Sequence, residues 1–196
     1  MAASSAFARS THYDGEVKFD TTPIPGVVVV HPATVVDHRG SFLRSYSEAA
    51  FAAAGLNARL TVSARATNPA ARTLRGIHHQ ADPHAETKLV SCASGRIFDV
   101  AVDLRRHSPT FGRWFGMELD AEHADALLVP AGCAHGYITL EPRTTVLYHL
   151  TDTFHPDAAR GIRWDDPRFG ISWPCQPAVI SERDRTWPLF PDKATG

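Results

Sequence analysis

Short apolar segments separated by turn residues recur along most of the chain, and this pattern is the strongest constraint on its fold. Gly, Pro, Asn and Asp punctuate the segments, and each segment has the length of one strand. Many short strands with regular turn signals predict an all-β sandwich or barrel. The predicted strands are residues 27–31, 41–46, 60–66, 73–79, 88–93, 96–103, 114–119, 126–129, 135–140 and 144–150.

One helix interrupts the strands. An Ala-rich segment begins at Ser47, a good N-cap, and ends before Gly55, a good residue to follow a helix C-terminus. One further helical turn is predicted near residues 120–125. The length of 196 residues predicts one domain, residues 23–190, after a flexible tail of residues 1–22. The Pro-rich part after Trp164 is predicted to be irregular and to wrap around the β-structure.

Composition and missing motifs exclude several classes of protein. A net charge of -1 argues against nucleic-acid binding, and no apolar run has the length of a membrane span. Three cysteines without a CxxC pattern fit a reducing compartment, so a cytoplasmic protein is predicted. The chain has neither a G-x-G nor a Gly-Lys pair, so neither a dinucleotide fingerprint nor a P-loop is present. If the chain is an enzyme, it is therefore expected to work without a nicotinamide cofactor and not to transfer phosphoryl groups.

The segment TLRGIHHQ, residues 73–80, concentrates reactive side chains in one predicted strand, and Lys88 opens the next. A base and a cation close together suit chemistry beside a carbonyl group, because the base removes a proton from carbon and the cation stabilises the enolate oxygen. Strict alternation would place Arg75 and His78 on opposite faces of the strand. We predict a bulge at Gly76 that brings both side chains to one site.

Two further polar residues lie in apolar strands. Asp99 shares its strand face with apolar residues, so it is expected to be buried and to need a partner, with Lys88 or His78 as candidates. A purely structural ion pair is the alternative. Tyr148 is either a core tyrosine or a proton donor, and the pattern alone leaves both open.

The segment PAGCAHG, residues 130–136, resembles the second short motif of cupin barrels. Metal-binding cupins pair this motif with H-x-H and a Glu. Here His78 and His79 are adjacent and should face opposite sides of a strand, so no metal ligands are predicted.

Taken together, the motifs resemble the dTDP-4-dehydrorhamnose 3,5-epimerase family, metal-free cupin enzymes of deoxysugar biosynthesis. The resemblance covers nearly the whole chain and implies a cupin-type jelly roll with a few short helices, no cofactor and a homodimer. The motifs that carry it are DHRG (37–40), LRGIHHQ (74–80), KLV (88–90), GRIFDVAVDLR (95–105), SPTFG (108–112), PAGCAHG (130–136), LY (147–148), GIRWDDP (161–167) and SERD (181–184).

The resemblance also implies roles for single residues. His78 matches the catalytic base, Asp184 the carboxylate that orients it, Tyr148 the proton donor, and Lys88 the cation near the keto oxygen. Asp99 matches a motif position that supports His78 or Lys88. The implied substrate-binding residues are Arg39, Arg44, Arg75, Gln80 and His135, with Arg39 directed at the nucleotide across a dimer interface.

The positions that ordinarily contact the nucleotide depart from the family pattern. Arg44 replaces a Glu that many members carry, and Ser63 and Arg65 replace amide side chains. A site discriminates mainly by leaving buried groups of the wrong partner unpaired, so these changes predict weaker discrimination among nucleotides.

The sequence thus predicts a cofactor-independent epimerase of a nucleotide-linked 4-keto-6-deoxy sugar, acting at C3, C5 or both. A single-site epimerase for a natural-product or surface-glycan sugar is the nearest alternative. A catalytically silent sugar-binding cupin and a metal-dependent cupin enzyme are the others. The predicted partners are a nucleotide-diphosphate sugar, dTDP-4-keto-6-deoxyglucose or a relative of it, and a second copy of the chain.

Overall fold

The computed structural model describes residues 16–56 and 58–191, which form fourteen strands and two short helices. The strands are β1 Lys18–Thr21, β2 Val28–His31, β3 Thr34–Asp37, β4 Gly40–Leu43, β5 Val62–Asn68, β6 Thr73–Gln80, β7 Lys88–Ser94, β8 Arg96–Asp103, β9 Trp114–Asp120, β10 Ala126–Val129, β11 Cys133–Thr139, β12 Thr144–Leu150, β13 Ala159–Gly161 and β14 Val179–Ile180. The helices are α1 Glu48–Ala53 and α2 Glu182–Thr186.

Two antiparallel sheets face each other. The first has the order β1-β2-β10-β7-β12-β5 and the second the order β13-β6-β11-β8-β9, with β14 added parallel to β6. Strands that are consecutive in the chain, such as β6 and β7, therefore lie in opposite sheets. The predicted all-β fold is confirmed, and the arrangement is that of a jelly roll.

Three apolar layers hold the sheets in place. Leu127 and Val146 belong to the layer between the sheets, while Leu128 packs with Phe51 of α1 on the outer face of the first sheet. Val100 packs with C-terminal residues on the outer face of the second sheet. Central strands such as β10 are consequently buried on both faces, which explains their continuous apolar sequence.

Helix α1 has the predicted ends. The Ser47 side chain accepts a hydrogen bond from the Ala50 N–H, and Gly55 has a φ of +75°. The Gly55 N–H donates to the Ala52 carbonyl at 3.0 Å and the Leu56 N–H to the Phe51 carbonyl at 2.8 Å, which is a Schellman ending.

Four strands and one helix were not predicted. β1 lies inside the predicted tail and pairs with β2, and residues 1–15 of that tail lie outside the described residues. β3, β13 and β14 are short and make little signal of their own. α2 lies in the C-terminal part that was predicted to be irregular, although Ser181 caps it by accepting from the Asp184 N–H at 3.1 Å. Among residues 16–56 and 58–191 the longest helix has six residues, too short to cross a membrane.

Candidate active site

A pocket of about 310 Å³ opens between the two sheets and collects most of the predicted site residues. The second sheet contributes residues of β6 and β11, and the first sheet contributes residues of β7 and β12. Facing strands of a jelly roll can thus supply groups to opposite sides of one ligand. The predicted site residues in the lining are Arg75, His78, Gln80, Lys88, His135 and Tyr148.

A bulge in β6 brings Arg75 and His78 to the same pocket, as predicted. His78 pairs with His135 and Arg75 with Tyr137, so two residues of β6 lie opposite Gly136 alone. Gly76 has a φ of +128°, and a Cβ atom there would come within 2.5 Å of the Gly136 Cα. The bulge therefore depends on two glycines that let the backbones of β6 and β11 approach each other.

His78 is held by a carboxylate from helix α2. The distance from His78 Nε2 to Asp184 Oδ1 is 2.5 Å, and the Gly76 N–H donates to the other carboxylate oxygen at 3.3 Å. Burial acts to raise the pKa of Asp184, but the hydrogen bond from His78 and its charge outweigh burial and leave that pKa below its usual value. An ionised Asp184 can only accept, so Nε2 carries the hydrogen and Nδ1 of His78 is the basic atom.

His79 also contributes to the lining, although strict alternation predicted that it would point away. The pocket encloses the end of β6, so consecutive residues reach it. Burial, reinforced by the charge of Lys88, lowers the pKa of His79 to about 4. Its buried Nδ1 has no hydrogen-bond partner among the described residues. Of these two adjacent histidines, only His78 has the carboxylate partner that a general base requires.

Lys88 enters the pocket from the opposite sheet as half of a buried ion pair. Its Nζ lies 2.7 Å from Glu86 Oε1, and both side chains are about nine-tenths buried. Glu86 Oε2 in turn accepts from Gln80 Nε2 at 3.1 Å. Glu86, which no sequence motif indicates, fixes the direction of the ammonium group.

The predicted partner of Asp99 is wrong. Asp99 contacts His135, with 2.7 Å between Oδ1 and Nε2, and neither Lys88 nor His78. The reason is the strand order, since β11 lies between β8 and β6 and Lys88 belongs to the other sheet. Burial raises the pKa of Asp99 while the pairing with His135 opposes this rise, and Oδ2 has no described partner. Asp99 thus acts on the pocket through His135.

Tyr148 shares the pocket with His78 and contacts the ring of His135 edge-on, with 6.0 Å between the ring centres. Burial raises the pKa of Tyr148 well above its usual value, and the adjacent Tyr137 adds to the rise. Tyr148 therefore keeps its proton across the neutral range and can donate it.

Gln80 borders the pocket, but its amide group is already used by the protein. Nε2 donates to the backbone carbonyls of His84 and Thr153 at 3.2 and 3.0 Å, and Oε1 accepts from the His155 N–H at 2.6 Å. The predicted substrate contact of Gln80 stays a prediction, although both amide hydrogens already have acceptors within the protein. Gln80 also ties together the loops that follow β6 and β12.

Arg39 and Arg44 lie away from this pocket. Arg39 is in the tip of the β3–β4 hairpin, a separate two-stranded sheet, and pairs with Asp37 at 2.6 Å. Arg44 follows that hairpin and is exposed. The described lining of the pocket includes neither residue, so within one chain they are not brought to it.

A second cavity of about 550 Å³ adjoins the first and shares Arg75, His78, Tyr148 and Arg183 with it. Arg183 is not among the residues that the sequence predicts for the site. It belongs to α2, and its guanidinium lies 4.9 Å from the centre of the Trp187 ring. The signal that could have found it is the S-x-x-D cap of residues 181–184, which predicts a helix start next to Asp184.

The fold and the pocket together define a class of protein. A jelly roll holds a carboxylate-bound histidine, a protonated tyrosine and a lysine around one pocket, and this is a constellation suited to moving protons beside a carbonyl group. The family model described as dTDP-4-dehydrorhamnose 3,5-epimerase matches residues 21–192. The chain belongs to this family, as its motifs predicted, and the cupin-type fold is confirmed.

Individual relatives support this assignment to the family. The dTDP-4-dehydrorhamnose 3,5-epimerase of Pseudomonas aeruginosa is 42% identical over 170 residues, which cover 86% of this chain and 93% of the relative. The crystal structure of the Bacillus anthracis enzyme with TDP and PPi bound has a TM-score of 0.86 at 36% identity, covering 89% of this chain and 99% of that one. A Legionella pneumophila epimerase in complex with dTDP-4-keto-L-rhamnose has a TM-score of 0.84 at 32% identity, with coverages of 88% and 92%.

Proposed function

We propose that this protein is an isomerase that epimerises a dTDP-linked 4-keto-6-deoxy sugar at C3, C5 or both. The observation that carries the proposal is the His78–Asp184 pair, which shares one pocket with Tyr148 and Lys88 in a chain of this family. The names and bound ligands of the relatives support the class of substrate.

The geometry supports a proton-transfer mechanism. The 4-keto group acidifies the hydrogens on C3 and C5, and Nδ1 of His78 takes one of them to leave an enolate. Lys88, directed by Glu86, stabilises the enolate oxygen. Tyr148 then donates its proton to the opposite face of the carbon, which inverts the centre, and solvent restores both groups. Asp184 keeps the required tautomer of His78, and Asp99 positions His135 beside Tyr148.

The two adjoining cavities divide the substrate between them in this proposal. The sugar occupies the cavity with Lys88, and the diphosphate lies where both cavities share Arg75 and Arg183. The Arg75 guanidinium is fixed in position to bind the diphosphate, since its Nε donates to Asn68 Oδ1 at 2.8 Å. A guanidinium suits phosphate oxygens because it donates two parallel hydrogen bonds.

A homodimer completes the proposal. The β3–β4 hairpin exposes Val36 by 74% and Phe42 by 54%, and Arg39 lies between them in the chain. Exposed apolar residues that flank a cation fit a surface that covers the pocket of a second copy. The predicted weaker nucleotide discrimination, the lack of nucleic-acid binding and the cytoplasmic location stay predictions.

Deuterium uptake from solvent into dTDP-4-keto-6-deoxyglucose, followed by proton NMR, tests the function. The wild-type chain should exchange C3, C5 or both, in the presence of EDTA as well. His78→Asn keeps a donor for Asp184 but removes the base, so exchange should fall about 10²–10⁴-fold. The matched variant His79→Asn removes the neighbouring weak base and should lose much less.

Other outcomes identify the alternatives. Exchange at one carbon alone would indicate a single-site epimerase. Tight binding without exchange would indicate a silent sugar-binding protein, and activity that EDTA removes and a metal restores would indicate the metal-dependent class. Near-normal exchange by folded His78→Asn would contradict the assignment of the base.

A further inference from the structure

Three side chains outside the proton-transfer machinery meet at the rim of the pocket. His84 lies in the loop after β6, and Asp152 and His155 lie in the segment after β12. Their ligating atoms all lie within 4.8 Å of one another. His84 Nδ1 is 3.2 Å from Asp152 Oδ2, and His155 Nε2 is 3.5 Å from Asp152 Oδ1.

The backbone around this cluster is fixed by a buried side chain. Gln80 is 4% exposed, and its amide bonds the carbonyl of His84, the carbonyl of Thr153 and the N–H of His155. Two loops that are distant in sequence are thereby held at a constant separation. The backbone positions of His84 and His155 are consequently part of the fold, and only their side chains have to adjust to hold a ligand.

We propose that His84, Asp152 and His155 bind a divalent transition-metal ion, with Zn²⁺ as the reference ion. Two imidazole nitrogens and one carboxylate oxygen are a known zinc ligand set, with water at the fourth position. Tetrahedral bonds of about 2.0–2.2 Å place ligand atoms about 3.3–3.6 Å apart. The His84 and His155 nitrogens lie 3.2 and 3.5 Å from Asp152, close to this range, and each faces a different oxygen of the carboxylate.

Binding requires one local change. The two imidazole rings are stacked, with 3.5 Å between their centres and 19° between their planes. Both ring lone pairs must point at one ion, so the rings have to open from this stack. The side chains of both histidines are 36% exposed, which leaves the rings room to turn.

A bound ion would connect the loops that form the rim of the pocket. One loop carries Glu86, the partner of Lys88, and the other carries Phe154, and both residues line the pocket. Because Gln80 already holds these two loops together, the ion adds a second link between them and takes no part in proton transfer, so exchange should still proceed in EDTA. This inference does not depend on the proposed function, because binding can be measured without substrate.

Isothermal titration with ZnCl₂ tests the site on the full chain, after EDTA treatment, dialysis and removal of any affinity tag. The wild-type chain should bind one ion at this site and gain thermal stability from it. His84→Ala and Asp152→Asn should each weaken that binding about tenfold or more and remove the stabilisation. Circular dichroism at low temperature establishes that the variants fold.

Two controls separate this site from others. His123 forms an exposed two-member pair with Asp120, so His123→Ala should bind Zn²⁺ like the wild type. His78→Asn should do the same, since the proposed ion lies outside the proton-transfer groups. Absence of binding by the wild-type chain would refute the proposal, as would unchanged affinity in folded His84→Ala and Asp152→Asn.

Discussion

At the scale of single residues, the surroundings of a side chain, and not its residue type, decide whether it can act as an acid or a base. His78 and His79 are neighbours in one strand, yet only His78 is bonded to an ionised carboxylate. Burial without a partner lowers the pKa of His79 to about 4 and makes it a weak base. The two tyrosines Tyr148 and Tyr46 differ in the same way. Tyr148 lines the pocket, whereas the Tyr46 hydroxyl donates to the Ala58 carbonyl.

Tyr148→Phe should separate the two halves of the reaction. Proton removal by His78 does not use the phenol, so exchange with solvent should continue with retention. Delivery to the opposite face should fall about 10²–10⁴-fold, because it loses its general acid. The raised pKa of Tyr148 also predicts that its ionisation causes no loss of wild-type activity up to about pH 9.

The measurement compares deuterium wash-in with the appearance of inverted product by NMR. Tyr46→Phe removes a hydroxyl outside the pocket and should leave both rates unchanged. Full epimerisation by Tyr148→Phe would show that water or another residue is the acid and that Tyr148 serves core packing.

At the scale of elements, the bulge in β6 determines whether a catalytic surface exists at all. Without the extra residue opposite Gly136, Arg75 and His78 would project from opposite faces of the strand. Helix α2 makes the complementary contribution, since it carries Asp184 to the far side of His78. The cap at Ser181 starts this helix in an otherwise Pro-rich segment.

Gly76→Ala should therefore damage both stability and activity. The new Cβ would meet the Gly136 Cα at 2.5 Å, and the residue would keep a positive φ that disfavours side chains. Overpacking and backbone strain together should lower the free energy of unfolding by roughly 2–4 kcal/mol. Chemical denaturation measures this loss, and deuterium uptake by the folded fraction measures activity.

Gly112→Ala is the matched control. Gly112 also has a positive φ, +78°, but among the described residues other than Gly112 and its two chain neighbours, no atom lies within 4 Å of the position that a Cβ would take there. Only the strain of about 1–2 kcal/mol should remain, with activity preserved. Equal effects of the two substitutions would mean that the close approach of β6 and β11 does not shape the site.

At the scale of the whole molecule, the hairpin carrying Arg39 pairs with no other described strand of its own chain. If it serves a neighbouring copy, mixing Arg39→Ala and His78→Asn chains should restore activity that neither variant has alone. Random pairing gives half heterodimers, each with one intact pocket, so about one quarter of the wild-type activity should return. Absence of complementation, with heterodimers present, would mean that Arg39 acts in its own chain.

Sedimentation of a Val36→Glu variant gives an independent measurement of the same interface. Because Val36 is exposed in the single chain, this change should dissociate the dimer while the fold persists. Leu189 is 46% exposed elsewhere, and Leu189→Glu should remain dimeric.

Much of this architecture could be predicted from the sequence because the patterns that indicate strands and helix caps span only a few neighbouring residues. Period-two patterns and turn residues located ten strands, and Ser47 with Gly55 located helix α1. The linear motifs also identified the family and six residues of the pocket, whereas Glu86 and Arg183 were missed. The short strands β1, β3, β13 and β14 escaped prediction because none of them is buried along its length, so none carries the continuous apolar run of equally short strands such as β2 and β10.

Tertiary structure decides which polar side chains pair with one another. Asp99 was expected beside Lys88 or His78, but strand order places His135 next to it and puts Lys88 in the other sheet. Gln80 belongs to a motif that lines the pocket, yet its amide group forms hydrogen bonds with the backbone of two loops. His84 and His155 carry no motif and meet only because those loops are tied together. Sequence patterns determine which residues form strands and which face is apolar, whereas contacts between polar side chains depend on strand order and loop closure, which no local pattern contains.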